Sequence, residues 1–306
     1  MSQGKTVLLF PGLDAVFSST RMKMWLGHTG VLQSLDEASQ YLSQISGQAE
    51  NLAEFIRSHK YLHLVDFDRT LIALTALQVG IARQLQPTWH IVQGCSHGDI
   101  ARSVITESFS FKEAIELLWI FANLRPACPP GYTANVRSRD GSPLSPEVQK
   151  WLKDENVPVS QWSDTNATIG GSEETLEKIK AQAEARGIKV KPVLQFPVHS
   201  PAMRPAMLAL RELTNHYEIR KPKNPVFSSV WIRYLESGED IREEGLASSV
   251  NEVRWMETLT HLHEQEEATT FINVGPSNTL TGWLFQDPRF GNLKLIDSWD
   301  LLHSGT

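Results

Sequence analysis

The chain opens on an apolar run, "TVLLF", cut short by Pro11-Gly12, which is the pattern of a brief buried strand. Apolar positions then recur at helical spacing in "LQSLDEASQYLSQI" and "LIALTALQVGIARQL". A second strand-like run, "HIVQG", leads directly into "CSHG". The stretch beyond it, "DIARSVITESFSFKEAIELLWIFANL", carries two helical patterns broken near Ser108. Strand and helix alternating in this way predict an α/β fold with a parallel sheet.

Between about Tyr132 and Val198 the rhythm changes. "YTANVRS" reads as a strand, "SPEVQKWLKDE" as a helix opened by a serine cap, and "VPVSQWS" and "NATIGG" as strands. "SEETLEKIKAQAEARG" follows as a helix with an acidic start and a glycine stop, and "IKVKPVLQF" as a strand. Strand-helix-strand-strand-helix-strand is the order of a ferredoxin-like unit. The expected organisation is a large α/β-hydrolase-like domain with a nucleophile elbow, residues 1–131 and 199–306, interrupted by a small ferredoxin-like α+β subdomain, residues 132–198. The second part of the large domain supplies a helix at "SPAMRPAMLALRELTNHY", a strand near "PVFSSV", a helix at "NEVRWMETLTHLHEQ", the strand "TTFINVG", and a helix from about Asn278.

Composition narrows the class. A length of 306 residues, 41% of them apolar, is enough for a substantial core. Thirty-five acidic against 29 basic residues, without a dense basic run, speak against nucleic acid as a partner. The two cysteines, Cys95 and Cys128, are too few for a disulfide framework and lack metal-ligand spacing. The opening apolar run is too short for a signal peptide, and no run approaches the ~20 residues that span a bilayer. A soluble, cytoplasmic protein with no bound metal is expected.

The candidate chemistry centres on Gly94-Cys95-Ser96-His97-Gly98, a G-x-S-x-G string between a strand and a helix. Small residues on both sides permit a sharp turn that exposes the serine oxygen, and the following helix N-terminus aims amide groups at developing negative charge. A serine needs a base, and among the ten histidines His199 stands out in "QFPVHSPAM", where a strand ends and a helix begins. A histidine in such a place is either a base facing a cleft or a satisfied structural side chain. "HLHEQEE" is a solvated helix face rather than a metal box, because Glu267 occupies the place of the second histidine of H-E-x-x-H.

Taken together, "LLFPG", "GCSHGD", the inserted unit, "PVHSPAM" and "NVGPSNTLTGW" resemble the malonyl-CoA:acyl carrier protein transacylase family, which includes polyketide synthase acyltransferase domains. The family strings are F-P-G-Q-G, G-H-S-x-G-E, H-S-P-x-M and V-G-P-x-x-x-L-T-G-L, and the match runs in order from about Thr6 to Asp297. The resemblance implies that Ser96 attacks an acyl thioester with His199 as general base, and that the acyl-serine passes to the phosphopantetheine thiol of an acyl carrier protein acting in trans. It implies an oxyanion site made by the backbone N–H groups of Leu13 and His97, and a backbone carbonyl, expected on or near "FINVG", that holds the histidine. Acyl-CoA and phosphopantetheine thioesters are then substrates, with no bound cofactor.

The departures from the family bear on the substrate. Leu13 and Asp14 replace the glutamine and glycine of F-P-G-Q-G, Cys95 replaces the histidine before the serine, and Asp99 replaces the glutamate. A buried thiol rather than a nucleophile is the reading of Cys95. Malonyl-specific members pair the malonyl carboxylate with an arginine on the next helix; alignment puts Phe121 there. With Phe196 and Val198 of "FPVH", Phe121 is expected to line an apolar acyl pocket, and Arg125, one turn on, to be a surface or helix-end residue. His97 either lines that pocket or caps the helix. Three functions fit: an acyltransferase for an uncharged acyl group, within polyketide biosynthesis; a hydrolase of the same family that clears stalled acyl groups from carrier proteins; and an inactive carrier-binding scaffold. An ordinary α/β-hydrolase fits less well, because "PVHSPAM" is not its late acid-then-histidine arrangement.

Overall fold

Strand β1 (Lys5–Phe10) is buried over its last four residues, as a strand covered on both faces must be. The computed structural model of the protein describes residues 4–13, 19–285 and 287–303, so Asp14 lies outside the described residues. Helices α1 (Ser19–Met24), α2 (Thr29–Ser46), α3 (Leu52–Ser58), α4 (Leu62–Val65) and α5 (Phe67–Leu85) come next. Asp66 caps α5 by accepting from the Arg69 amide, and the helix is buried continuously from Thr70 to Ala82. Strand β2 (Ile91–Gly94) pairs with β1 in parallel, from Val7 opposite Ile91 to Phe10 opposite Gly94. Helix α6 (Gly98–Ile105) starts immediately after it, and α7 (Phe111–Leu124) opens on a Ser110–Glu113 capping box.

The chain then builds its second sheet from β3 (Gly131–Ser138), β4 (Val159–Ser163), β5 (Asn166–Ser172) and β6 (Ile188–Leu194), with α8 (Pro146–Asp154) and α9 (Glu173–Ala183) between them. This sheet is antiparallel with order β4-β5-β3-β6, and it has a core of its own around Val136, Leu152, Ile169, Leu176 and Ile179. That strand order is the ferredoxin-like one.

Past it lie α10 (Arg204–Thr214), β7 (Val226–Phe227), β8 (Tyr234–Leu235), α11 (Gly238–Val250), α12 (Trp255–Glu264), β9 (Ala268–Asn273), α13 (Thr279–Phe285), β10 (Lys294–Asp297) and α14 (Ser298–His303). The main sheet runs β10-β9-β1-β2-β7-β8, parallel except for the β8 edge. Alternation along β1 divides the core: Leu8 and Phe10 face α2 and α5, while Val7 and Leu9 face Trp255, Leu259 and Phe271. No described helix is long and apolar enough to cross a membrane.

The C-terminal ends of the two central strands are locked together. The Cys95 amide donates to the Phe10 carbonyl at 2.9 Å, the Val274 amide to the Leu9 carbonyl at 2.8 Å, and Gln78 Nε2 to the Pro11 carbonyl at 2.6 Å. Gly98 passes so close beneath Phe10 that a β-carbon there would overlap the Phe10 carbonyl, and one at Gly94 would overlap Asp99. We predict that Gly98→Ala destabilises by roughly 1–3 kcal/mol in urea titration, the range typical of overpacking. Gly282→Ala, where an added carbon meets nothing within 4 Å, should not. Equal stability of the two variants would contradict this packing.

Candidate active site

Ser96 sits where β2 turns into α6, with a left-handed backbone (φ 56°) that a non-glycine residue adopts only when its surroundings impose it. The imposing contacts are the two glycines, which let the turn fold against β1 without side-chain obstruction. Cys95 is packed into the core with Val7, Leu9 and Ile91. The amides of His97 and Leu13 donate to no other group among the described residues, and a carbon built on Gly12 would lie 3.6 Å from Ser96 Cβ.

His199 also has a left-handed backbone (φ 59°), and its Nε2 is 2.8 Å from Ser96 Oγ. The opposite nitrogen, Nδ1, lies 2.5 Å from the Ser248 carbonyl, which can only accept. Nδ1 therefore carries the proton, leaving the Nε2 lone pair free for the serine hydroxyl. The orienting carbonyl is thus not on "FINVG": it comes from the end of α11, because the segment carrying His199 packs against that helix, with the Ser200 amide donating to the Ser249 carbonyl at 3.2 Å. Burial lowers the His199 pKa to about 4, only partly offset by the hydrogen bonds to the Ser248 and Asn251 backbone. The same segment is held from the small sheet: Thr133 Oγ1 donates to the Phe196 carbonyl at 2.9 Å, and Gly170 lies directly under the Val198 carbonyl.

Two cavities meet at this pair, sharing Leu13, Ser96, Val198 and His199 as walls. One, of about 360 Å³, is a cleft toward the small sheet, with Trp162, Trp283, Arg137 and Lys191 along it. The other, of about 160 Å³, runs behind the serine between α7, α10 and α11, and takes in Phe121, Phe196 and Val198. His97 lines this second cavity instead of capping α6: its Nε2 is 3.0 Å from both the Leu71 carbonyl and Thr75 Oγ1, and burial lowers its pKa to about 4. Among the described residues no group of His, Cys, Asp or Glu could hold a metal ion.

Known proteins with this fold are numerous. The acyl transferase domain family matches residues 31–288. The chain is an acyl transferase family member. It is 24% identical to the malonyl CoA-acyl carrier protein transacylase of Bacillus subtilis, over 91% of this chain and 89% of that one. Among solved structures, the acyl-carrier-protein S-malonyltransferase of Burkholderia pseudomallei superposes with a TM-score of 0.84 at 22% identity, covering 98% and 99% of the two chains. A malonyl-transacylase solved in complex with a type II polyketide synthase acyl carrier protein gives 0.82 at 24% identity, again over 98% and 99%.

Several groups around the acyl transferase site left no sequence signal. Arg102, on α6, reaches across to α11: its Nη2 is 2.7 Å from Glu244 Oε2, and its Nη1 is 3.0 Å from Asp99 Oδ1. All three side chains are buried, and burial holds the Asp99 carboxyl well above its ordinary range, against the pull of Arg102. Glu244 stands one turn before Ser248, so this ion pair joins the helix that follows Ser96 to the helix whose carbonyl meets His199. Arg125 is neither free nor fully exposed. Its Nη1 pairs with Asp68 Oδ1 at 2.8 Å, and its guanidinium lies over Phe67 and Phe196.

Two outcomes follow from this geometry. A base with a pKa near 4 stays neutral well below the ordinary histidine value of 6.5, so the rate of Ser96 acylation should be level from about pH 8 to pH 5.5 and fall only below about pH 5. A break near 6.5 in single-turnover rates would show a solvated ring instead. Glu244→Gln, which leaves Arg102 with a single carboxylate, should lower unfolding stability by roughly 3 kcal/mol and slow acylation as well. Chemical denaturation together with single-turnover kinetics reads both effects, and wild-type values in both would refute the link.

Proposed function

We propose that this acyl transferase moves an uncharged acyl group from a thioester, through an acyl-Ser96 intermediate, to the phosphopantetheine thiol of an acyl carrier protein. The observation that carries this reading is the Ser96–His199 pair at 2.8 Å, placed where an open cleft and a narrower cavity meet. The pantetheine arm occupies the cleft, with Arg137 and Lys191, both exposed, near its phosphate. The acyl chain occupies the cavity behind the serine. Ser96 Oγ attacks the thioester carbonyl while its proton moves to His199 Nε2, and the oxyanion meets the amides of His97 and Leu13. The C–S bond breaks, the leaving sulfur takes the proton from His199, and the carrier thiol reverses these steps. The intact pair argues against an inactive scaffold.

The curated relatives are malonyl transacylases, and the reading departs from them on the acyl group. The motif resemblance puts Phe121 where malonyl-specific members would carry arginine, which supports this reading, and the guanidinium groups near the cavity have partners already. Arg102 is held by Asp99 and Glu244, Arg125 by Asp68, and Arg242 by the Thr214 and Tyr217 carbonyls at 2.9 and 2.8 Å. A malonyl carboxylate there would gain a counter-ion only by drawing Arg242 away from those carbonyls. Preference for an uncharged acyl group supports a role in polyketide-type assembly, delivering a starter or other uncharged unit.

The test is intact-protein mass spectrometry with acyl-CoA thioesters, followed by addition of holo carrier protein. Uncharged acyl groups should load about 100-fold faster than malonyl, matching roughly 3 kcal/mol for an unpaired carboxylate. Phe121→Arg should narrow or invert that ratio. Preferential malonyl loading of the wild type would sink the substrate assignment, and an adduct that decays to free acid without reaching the carrier would favour hydrolysis.

A further inference from the structure

The cavity behind Ser96 has a measurable length and an unusual gap in its wall. Helix α11 forms one side, with Ser248 at the catalytic end and Ile241 further out, and these lie seven residues apart, or about 10 Å along the helix axis. An extended chain advances about 1.2 Å per bond, so this distance holds about eight bonds. The volume agrees. Apolar cavities of about 150 Å³ accept benzene, six carbons, and this one measures about 160 Å³.

Its lining along that course is mainly apolar, with Leu117 and Phe121 from α7, Leu210 from α10, and Ile241 and Leu246 from α11, and the polar Thr214 and Arg242 stand among them. Gly245 interrupts the last of these. It lines the cavity and is exposed, and a β-carbon built there meets nothing within 4 Å. Glycine weakens a helix interior, and here no close approach of another backbone requires it. Side chains on a helix lean toward its N-terminus, so any residue larger than glycine at 245 would cover the groove next to Ile241.

We propose that the groove is built for straight acyl chains of about six to eight carbons, and that Gly245 is the specificity-determining residue that keeps its outer half open. The proposal rests on Ser96 being the acylated residue, and it adds the class of chain: medium-length, saturated and unbranched. Acetyl would fill only the part nearest the serine. Each buried methylene strengthens binding by roughly fourfold, so the preference should grow along a series until the groove is full.

The experiment measures Ser96 loading from acetyl-, butyryl-, hexanoyl-, octanoyl- and dodecanoyl-CoA by intact mass, for the wild type and for Gly245→Ala, Gly245→Leu and Gly245→Phe. In the wild type, kcat/KM should rise tenfold or more from acetyl to hexanoyl and level off by octanoyl. The octanoyl-to-acetyl ratio should fall at least tenfold in Gly245→Leu and further in Gly245→Phe, with Gly245→Ala between, and circular dichroism checks the fold of each. A ratio near one in the wild type, or one untouched by Gly245→Leu in a folded protein, overturns the proposal. A second measurement separates it from the catalytic reading: calorimetric binding of octanoyl-CoA and acetyl-CoA to Ser96→Ala. Tighter octanoyl binding that Gly245→Leu abolishes supports the groove even if no acyl group ever loads, and equal binding of the two thioesters refutes it.

Discussion

Everything at the site depends on how closely the backbone of the Ser96 turn approaches the end of β1. Gly98 lies under the Phe10 carbonyl with no room for a side chain, and that contact forces Ser96 into its left-handed conformation. The strain at a single residue is small beside the burial of the central strands, which hold the turn in place through the Phe10 and Leu9 carbonyls. The amide groups of His97 and Leu13 beside this turn have no partner among the described residues. The oxyanion role proposed for them is a main-chain one, so Leu13 in place of the family's glutamine does not bear on it.

The histidine is managed by different means. Among the described residues no carboxylate stands behind it; the Ser248 carbonyl fixes its tautomer, and burial keeps it neutral. An acid partner would have raised its pKa and placed a negative charge beside the cavity behind Ser96. The carbonyl orients the ring without adding a net charge to a cavity lined mainly by apolar side chains.

The sequence is legible wherever burial is written as apolar spacing. β1, β2, α2, α5 and the strand-helix order of the small sheet all follow from it, while the pairing of a G-x-S-x-G turn with "PVHSPAM" rests on the motif strings and the family resemblance. Helix α11 is the instructive failure. Its inward positions carry Glu244 and Ser248 beside Ile241, and Gly245 interrupts it, so "GEDIREEGLASSV" shows no apolar stripe. A buried glutamate is readable only once its partner Arg102, 142 positions away, is known to face it. The histidine's carbonyl is a main-chain group and leaves no trace in residue identity at all, which is why "FINVG" was a reasonable but wrong place to look. The strand near "PVFSSV" shrinks to two residues because the chain leaves the sheet at Ser228, whose hydroxyl accepts from the Val230 and Trp231 amides.

The contact between Gly170 and the Val198 carbonyl, with the Thr133 hydroxyl beside it, means that the small sheet does not merely flank the cleft. The residue next to the base rests on the backbone of β5, and β5 has no side chain there to yield. The imidazole is therefore seated by both sheets at once, the parallel one through the Ser96 turn and the antiparallel one through the backbone under Val198.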